Sequence, residues 1–221
     1  MNIFDIMGPI MVGPSSSHTA GAVRIGRVAR RMLGSMPVRA EIMLHGSFAA
    51  TGTGHGTDRA IVAGLLDMAP DDTAIPVSFR LAQEAGMEVT ISNVELRDAH
   101  PNTAILQLTN REGRTLTISA SSLGGGRIRV NAIDGMDASF SGAFPTVIIR
   151  NEDRPGIVAE VAQTLSRHGA NIATMQLYRA RRGGLAVMVI ECDEPLAPHI
   201  REEMSRLDGV VRCTYLDMEG A

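Results

Sequence analysis

At 221 residues the chain exceeds the roughly 100–200 residues of one ordinary domain, and two small domains suit it best. Hydrophobic residues make up 44% and charged residues 20%, as in a folded protein with a real core, and 3% aromatics beside 13 Met make that core aliphatic and thioether. The formal charge is −3 and the arginines are spread along the chain, so neither a phosphate-backbone footprint nor a base-stacking surface is expected, and no nucleic-acid partner. No Lys occurs anywhere in the sequence. Cys192 and Cys213 are the only cysteines, too few for a secreted disulfide framework and too far apart for a metal knuckle, which fits a reducing cytoplasm. The apolar stretch 3–12 is broken by Asp5, Gly8 and Pro9 and has no basic residue before it, so we expect neither a signal peptide nor a membrane span there.

In chain order, Ile25, Val28, Ala29 and Met32 follow helical spacing and predict an amphipathic helix over residues 19–33. Residues 37–44 predict a strand, 46–57 a glycine-broken loop, 58–68 a second helix and 75–85 a weaker one. Strands are predicted at 88–96, 103–108, 115–119 and 127–133, giving an α+β domain over residues 1–140 with an antiparallel sheet. Residues 135–144 (GMDASFSGAF) are small and polar and predict a linker.

A second unit over residues 145–221 opens with the apolar strand Val147, Ile148 and Ile149, the turn NEDRPG at 151–156 and a helical face of Val158, Val161, Ala162 and Leu165. Alternation at Ala173, Met175 and Leu177 predicts another strand, and the continuous apolar run 185–190 predicts one buried on both faces. A helix bearing Leu196, Ile200, Met204 and Leu207 and a strand over 210–216 complete βαββαβ, the ferredoxin-like plait. With NEDRPG after its first strand and Asn171-Ile172 opening its second, this unit resembles the ACT family of amino-acid-sensing domains. That resemblance implies effector contacts at Asn151, Asp153 and Asn171 and homodimerisation through the ACT unit. The plain alternative is that Asn151 and Asp153 only cap and turn the chain.

Chemistry concentrates in two loops. Residues 13–19 (GPSSSHT) set Ser15, Ser16, Ser17, His18 and Thr19 immediately before a helix, where free N–H groups and hydroxyls attract a carboxylate or phosphate. Residues 51–58 (TGTGHGTD) repeat the arrangement with His55, Thr57 and three glycines, although the spacing is neither GxGxxG nor a P-loop. Asp58 is expected to cap the helix that follows. A third cluster, SSLGGGR at 121–127, reads equally as a hairpin turn or as another ligand-approach loop.

Taken in order, GPSSSHT, HGSFAATGTGHGTD, SSLGGG and the ACT unit resemble the beta-subunit family of the two-chain, iron-sulfur-dependent L-serine dehydratases over essentially the whole chain. The resemblance implies conversion of L-serine into pyruvate and ammonia, a cytoplasmic setting without a membrane, and a partner alpha chain that carries the [4Fe-4S] cluster. It implies His55 and His18 as catalytic or substrate-contacting imidazoles, with His55 the first choice of base. Ser15, Ser16, Ser17, Thr19 and Thr57 are the implied substrate-binding groups. Pyridoxal phosphate is not expected, because a chain without Lys cannot form its Schiff base. No metal ligands are assigned in this chain. His45, His100, His168 and His199 have no comparable setting and read as structural or surface residues. Two rivals remain: a non-catalytic amino-acid-sensing module, suggested by likeness to the substrate-sensing domain of some phosphoglycerate dehydrogenases, and a metallohydrolase using His18, His55 and Asp58.

Overall fold

A computed structural model describes residues 15–218, so Gly13 and Pro14 of the first loop lie outside the described residues. The chain divides into two units, residues 1–134 and 135–221. Among the described residues no helix is long and apolar enough to cross a membrane.

The first unit opens with α1 (Ala20–Leu33), which buries the predicted stripe of Ile25, Val28, Ala29 and Met32. It stops at Gly34, whose φ of 94° lets its N–H turn back to Arg30 O at 3.0 Å. Then follow β1 (Pro37–Leu44), α2 (Ser47–His55), α3 (Thr57–Leu65), a 3-10 turn at Ile75–Val77, α4 (Ser78–Glu84), β2 (Glu88–Asn93), β3 (Thr103–Asn110), β4 (Thr115–Gly124) and β5 (Arg127–Ile133).

Two features differ from expectation. The segment taken as a glycine-broken loop is helical over Ser47–His55. Glycines cost a helix about 1 kcal/mol each, but tertiary packing overrides that here: Phe48 is fully buried, and Thr51 Oγ1 donates to Ser47 O at 2.7 Å. The sheet is mixed rather than antiparallel. Its strands lie in the order β2-β1-β3-β4-β5, and β1 pairs with β2 in parallel, Arg39 opposite Glu88 through Leu44 opposite Asn93. Three helices lie between those two strands, and a helical crossover returns the chain in the same direction, as a hairpin cannot.

Alternate residues Ala40, Ile42 and Leu44 of β1, Ala104, Leu106 and Leu108 of β3, and Leu116, Ile118 and Ala120 of β4 are buried, and α1 packs on β4 and α3. The α1–α3 crossing is a backbone contact. A Cβ at Gly26 would lie 2.2 Å from Ile61 O, and one at Gly64 only 2.1 Å from Val23 O. Arg30 Nη1 donates to Leu65 O at 2.9 Å, and Arg27 Nε pairs with Asp67 Oδ1 at 3.1 Å. His18, two residues before α1, packs against His55, two residues before α3. The two helices run in the same sense, which places their N-terminal ends on one side of the unit.

The second unit begins with β6 (Met136–Phe140), where a linker was expected: Ala138 and Phe140 are buried with the period of a strand. After it come β7 (Thr146–Glu152), α5 (Ile157–Arg167), β8 (Ile172–Arg179), β9 (Leu185–Cys192), α6 (Pro198–Ser205) and β10 (Val210–Leu216). From β7 onward this is the predicted ferredoxin-like plait, with the antiparallel order β10-β7-β9-β8. Val147, Ile149, Met188 and Ile190 meet Val161, Leu165, Ile200 and Met204 of the helices in one core. Strand β9 is buried on both faces as its composition demands, and β6 packs against it. There Glu191 accepts hydrogen bonds from the Ser141 N–H (3.4 Å), Ser141 Oγ (3.3 Å) and Thr174 Oγ1 (2.8 Å).

Gly26→Ala should destabilise the chain by about 3 kcal/mol, the upper range for overpacking, since backbone rather than a flexible side chain fills the space. Gly54→Ala, in α2 with nothing within 4 Å of its added methyl, should be neutral or gain up to about 1 kcal/mol. Urea denaturation of the two variants checks the contrast.

Candidate active site

The parallel course of α1 and α3 brings together two loops that the sequence separates. Ahead of α1, the Ser15–Thr19 segment is a tight turn in which Thr19 N donates to Ser15 O at 2.9 Å and Gly21 N to Ser16 O at 3.0 Å. This turn drives His18 inward, leaving it 8% exposed. Its Nδ1 lies 3.1 Å from Ser17 Oγ and 3.2 Å from Ser15 Oγ, and its Nε2 lies 3.3 Å from Ser47 Oγ. The ring packs edge-on against Phe48, at 5.3 Å between centroids, and against His55, at 5.2 Å and 88°.

Burial pushes the His18 pKa below the ordinary histidine value and the neighbouring His55 adds to the shift, opposed by a hydrogen bond with the Ser47 backbone. His18 is therefore a neutral imidazole near pH 7. His55 sits exposed at the end of α2. Two imidazoles in edge contact thus occupy opposite environments, one locked and desolvated, the other open to solvent.

Gly56, at a φ of 71°, is the N-cap of α3 and the single residue between α2 and α3. A left-handed residue here lets one helix end and the next begin without a loop. Asp58, expected to be the cap, lies instead in the first turn, where its Oδ1 accepts the Arg59 N–H at 2.7 Å. Thr57 is fully buried, and its Oγ1 has no hydrogen-bond partner among the described residues. A buried, unsatisfied hydroxyl costs about 1–3 kcal/mol. The Thr57 hydroxyl lies in the first turn of α3, where the macrodipole favours negative charge. Thr19, the N-cap of α1, is buried as well.

The third glycine cluster is a hairpin turn. Gly124, Gly125 and Gly126 all have positive φ and turn β4 into β5, and the Gly125 N–H donates to Ser16 Oγ at 3.3 Å. The hairpin tip therefore touches the serine loop. Sequence reasoning placed Ser47 and Phe48 inside the HGSFAATGTGHGTD motif but gave neither a role. The signal was there: Ser47, Thr51 and His55 are spaced four apart, one face of a helix, but reading 46–57 as a loop concealed it. On the other side of α2, Ala49 and Ala50 line a separate cleft with His45, Asn93 and Glu95. His45 Nδ1 accepts the Leu96 N–H at 3.2 Å and His168 Nε2 pairs with Glu203 at 2.7 Å, both structural roles.

The ACT positions are arranged less simply than the resemblance implies. Asn151 is fully buried in β7 with Nδ2 donating to Glu152 O at 2.7 Å. Asp153 accepts the Gly183 N–H at 2.9 Å and Arg179 Nη1 at 3.1 Å, closing the β8–β9 hairpin, and these donors hold its carboxyl below the usual range. Asn171 is exposed, with Nδ2 donating to Asp193 Oδ2 at 2.6 Å. Of the three, Asn171 is exposed, Asp153 half-buried and Asn151 fully buried.

Among the described residues no group of three His, Cys, Asp or Glu side chains lies close enough to hold a metal. Both ring nitrogens of His18 are engaged with hydroxyls, which removes it from the three-ligand set of the metallohydrolase reading. The cysteines do not fit a cluster: Cys192 is fully buried in the ACT core, and burial pushes the Cys213 thiol up to about 11, away from the thiolate that ligation needs.

Comparison with known proteins bears on both units of the chain. The family described as Serine dehydratase beta chain matches residues 2–86, and the ACT domain family matches residues 146–209. The probable L-serine dehydratase, beta chain, of Bacillus subtilis (strain 168) is 39% identical over 97% of this chain and 97% of its own. The L-serine dehydratase, beta chain, of Peptoniphilus asaccharolyticus is 34% identical over the same shares. The D-3-phosphoglycerate dehydrogenase of Archaeoglobus fulgidus is 27% identical over 89% of this chain but only 37% of its own length. Similarity that runs the full length of both chains, with the serine and histidine loops at one end and an ACT domain at the other, shows that the chain belongs to the L-serine dehydratase beta-chain family.

Proposed function

We propose that this chain acts as the beta subunit of an L-serine dehydratase, converting L-serine into pyruvate and ammonia together with a cluster-bearing alpha chain in the cytoplasm. The observation that carries this reading is the convergence of two helix N-termini, with the buried Thr57 hydroxyl at one and the Ser15–Ser17 hydroxyls at the other, around the His18–His55 pair. The substrate carboxylate suits those donors. Removing the α-proton needs a base whose pKa lies near the working pH, and imidazole is the usual choice. His55 is exposed beside the donors, whereas both nitrogens of His18 are already engaged. His55 therefore takes the α-proton and His18 supports the serine loop. Loss of the β-hydroxyl as water leaves aminoacrylate, which tautomerises to an imine and hydrolyses to pyruvate and ammonia. Departure of that hydroxyl calls for an acid that the described residues do not furnish, and this is the place of the alpha chain. The [4Fe-4S] cluster belongs there for the same reason that Cys192 and Cys213 do not suit it.

The ACT unit takes the regulatory or assembly role, pairing two copies of the chain, and Asn171 at the head of β8 is the position retained for effector contact. A sensing module without catalysis is favoured only by the partial match to a D-3-phosphoglycerate dehydrogenase. Anaerobic co-expression with an alpha chain, followed by assay of pyruvate from L-serine, separates the two: no pyruvate despite an intact cluster overturns the enzyme reading.

Three variants follow from the site. His55→Ala in the two-chain enzyme should lower kcat by a hundredfold or more, on the order of a lost general base, with assembly intact by size-exclusion chromatography. Thr57→Val should leave thermal stability unchanged or higher, since it removes an unsatisfied hydroxyl, while raising KM for serine about tenfold. The lowered pKa of His18 acts through the unfolded state. At pH values above the ordinary histidine value of ~6.5 both states are neutral, and below it the unfolded chain binds the proton first. Stability should therefore fall as pH drops below ~6.5 and level off beneath the folded pKa. His18→Gln should lack that component in urea titrations run across the range.

A further inference from the structure

Where β1 passes into α2, the backbone is clamped against the residues that lead into β3. His45 N donates to Thr103 O at 3.0 Å and Ser47 N to Pro101 O at 2.8 Å. Pro101 O also stands 2.6 Å from where a Cβ at Gly46 would lie, so this contact has no slack. The same first turn of α2 carries Ser47, with Oγ 3.3 Å from His18 Nε2, and Phe48, whose ring meets that of His18 at 5.3 Å. The last residue of the helix is His55. Whatever fixes the peptide between His100 and Pro101 therefore fixes how α2 presents its groups to His18.

A buried chain of hydrogen bonds ends on that peptide. Thr103 and Ser121 sit opposite one another on β3 and β4, both 1% exposed, on the sheet face away from Ala104, Leu106 and Ala120. Asn131 Nδ2 of β5 donates to Ser121 Oγ at 2.8 Å, Ser121 Oγ lies 2.7 Å from Thr103 Oγ1, and Thr103 Oγ1 donates to His100 O at 2.6 Å. A pair of hydroxyls alone leaves the direction open, but here both ends are settled, because an amide N–H only donates and a carbonyl only accepts. Arg129 Nε, itself only a donor, holds Asn131 Oδ1 at 3.2 Å and so keeps Nδ2 turned to Ser121. The donors therefore run one way, from Asn131 to Ser121 to Thr103 to the His100 carbonyl. A polar network with every member satisfied rigidifies what it joins. We infer that Thr103 is a positioning residue for the His18–His55 pair: at the end of the directed chain from Asn131 through Ser121 it locks the His100 carbonyl, seats the first turn of α2 and so sets His55 against His18.

The effect on turnover rests on the proposed serine dehydratase reading, but the geometry does not, and the two are tested separately. In the full chain with labelled His and Phe, the nuclear Overhauser contact between the His18 and Phe48 rings should be clear in the wild type. It should weaken in Thr103→Val, which keeps the shape of the side chain and removes the hydroxyl, and return in Thr103→Ser. Asn131→Asp keeps its shape and its Arg129 contact but takes away the donor to Ser121, so it should weaken the ring contact in the same direction, and it carries the test if Thr103→Val does not fold. In the two-chain enzyme Thr103→Val should lower kcat about tenfold, within the cost of misplacing a base by less than roughly 1 Å, with KM changed by no more than about twofold. In a His55→Ala background the same substitution should cost nothing further, since both changes act through one imidazole. An unchanged ring contact in the folded variants, a Thr103→Ser variant that does not restore it, or a kcat loss of equal size with and without His55 removes Thr103 from this role. The expected ring contacts in a two-chain enzyme without dehydratase activity would count against the enzyme reading alone.

Discussion

The site depends on how closely α1 and α3 approach. Two helices that carry side chains at their crossing stand about 8–10 Å apart. Gly26 and Gly64 instead bring backbone against backbone, with Ile61 O and Val23 O in the space where their methyl groups would be. A second close contact holds the start of α1: a Cβ at Gly21 would fall 2.0 Å from Ser122 Oγ, so β4 presses on the first turn. Fixed at its beginning and its middle, α1 can deliver the Ser15–Thr19 turn only to the place where α3 begins. The convergence of donors on one small volume is thus a consequence of glycine packing some distance from the chemistry.

Electrostatics then divides the work. The two imidazoles meet edge-on at 5.2 Å, and burial lowers the pKa of His18. His18, beneath Phe48 and between three serine hydroxyls, is the desolvated member and acts as a rigid connector. His55 remains open to solvent. The buried Thr57 hydroxyl, without a partner among the described residues, carries a further cost of about 1–3 kcal/mol.

In the second unit the strongest constraint is a strand without a solvent face. Strand β9 needs cover on both sides, and α5 and α6 supply one while β6 supplies the other, tied down through Glu191. The NEDRPG turn is likewise spoken for. Arg154 Nη2 donates to Asp208 O at 2.6 Å and pairs with Asp208 Oδ2 at 2.8 Å, and Asp153 closes the neighbouring hairpin. These residues hold the plait together, so the turn serves the architecture as well as being a candidate effector position.

Periodicity and composition determined a good deal unaided. The stripe of α1, the alternation of β1 and β3, the continuous apolar run of β9 and the βαββαβ order were all legible, because each is set by how a local segment buries its own apolar atoms. The serine and histidine loops were also visible as places where small, polar residues precede a helix. What tertiary structure alone decided was whatever hinges on contacts distant in sequence. The helix at Ser47–His55 exists because Phe48 finds a pocket, despite two glycines that argue against it locally. The parallel pairing of β1 with β2 follows from where the intervening helices pack. The burial of Asn151 and the meeting of Ser47 with His18 depend on neighbours brought in by the fold. A single sequence records which residues are able to donate, accept or take up a proton, but their partners, and so their pKa and tautomer, are set only when the chain closes around them.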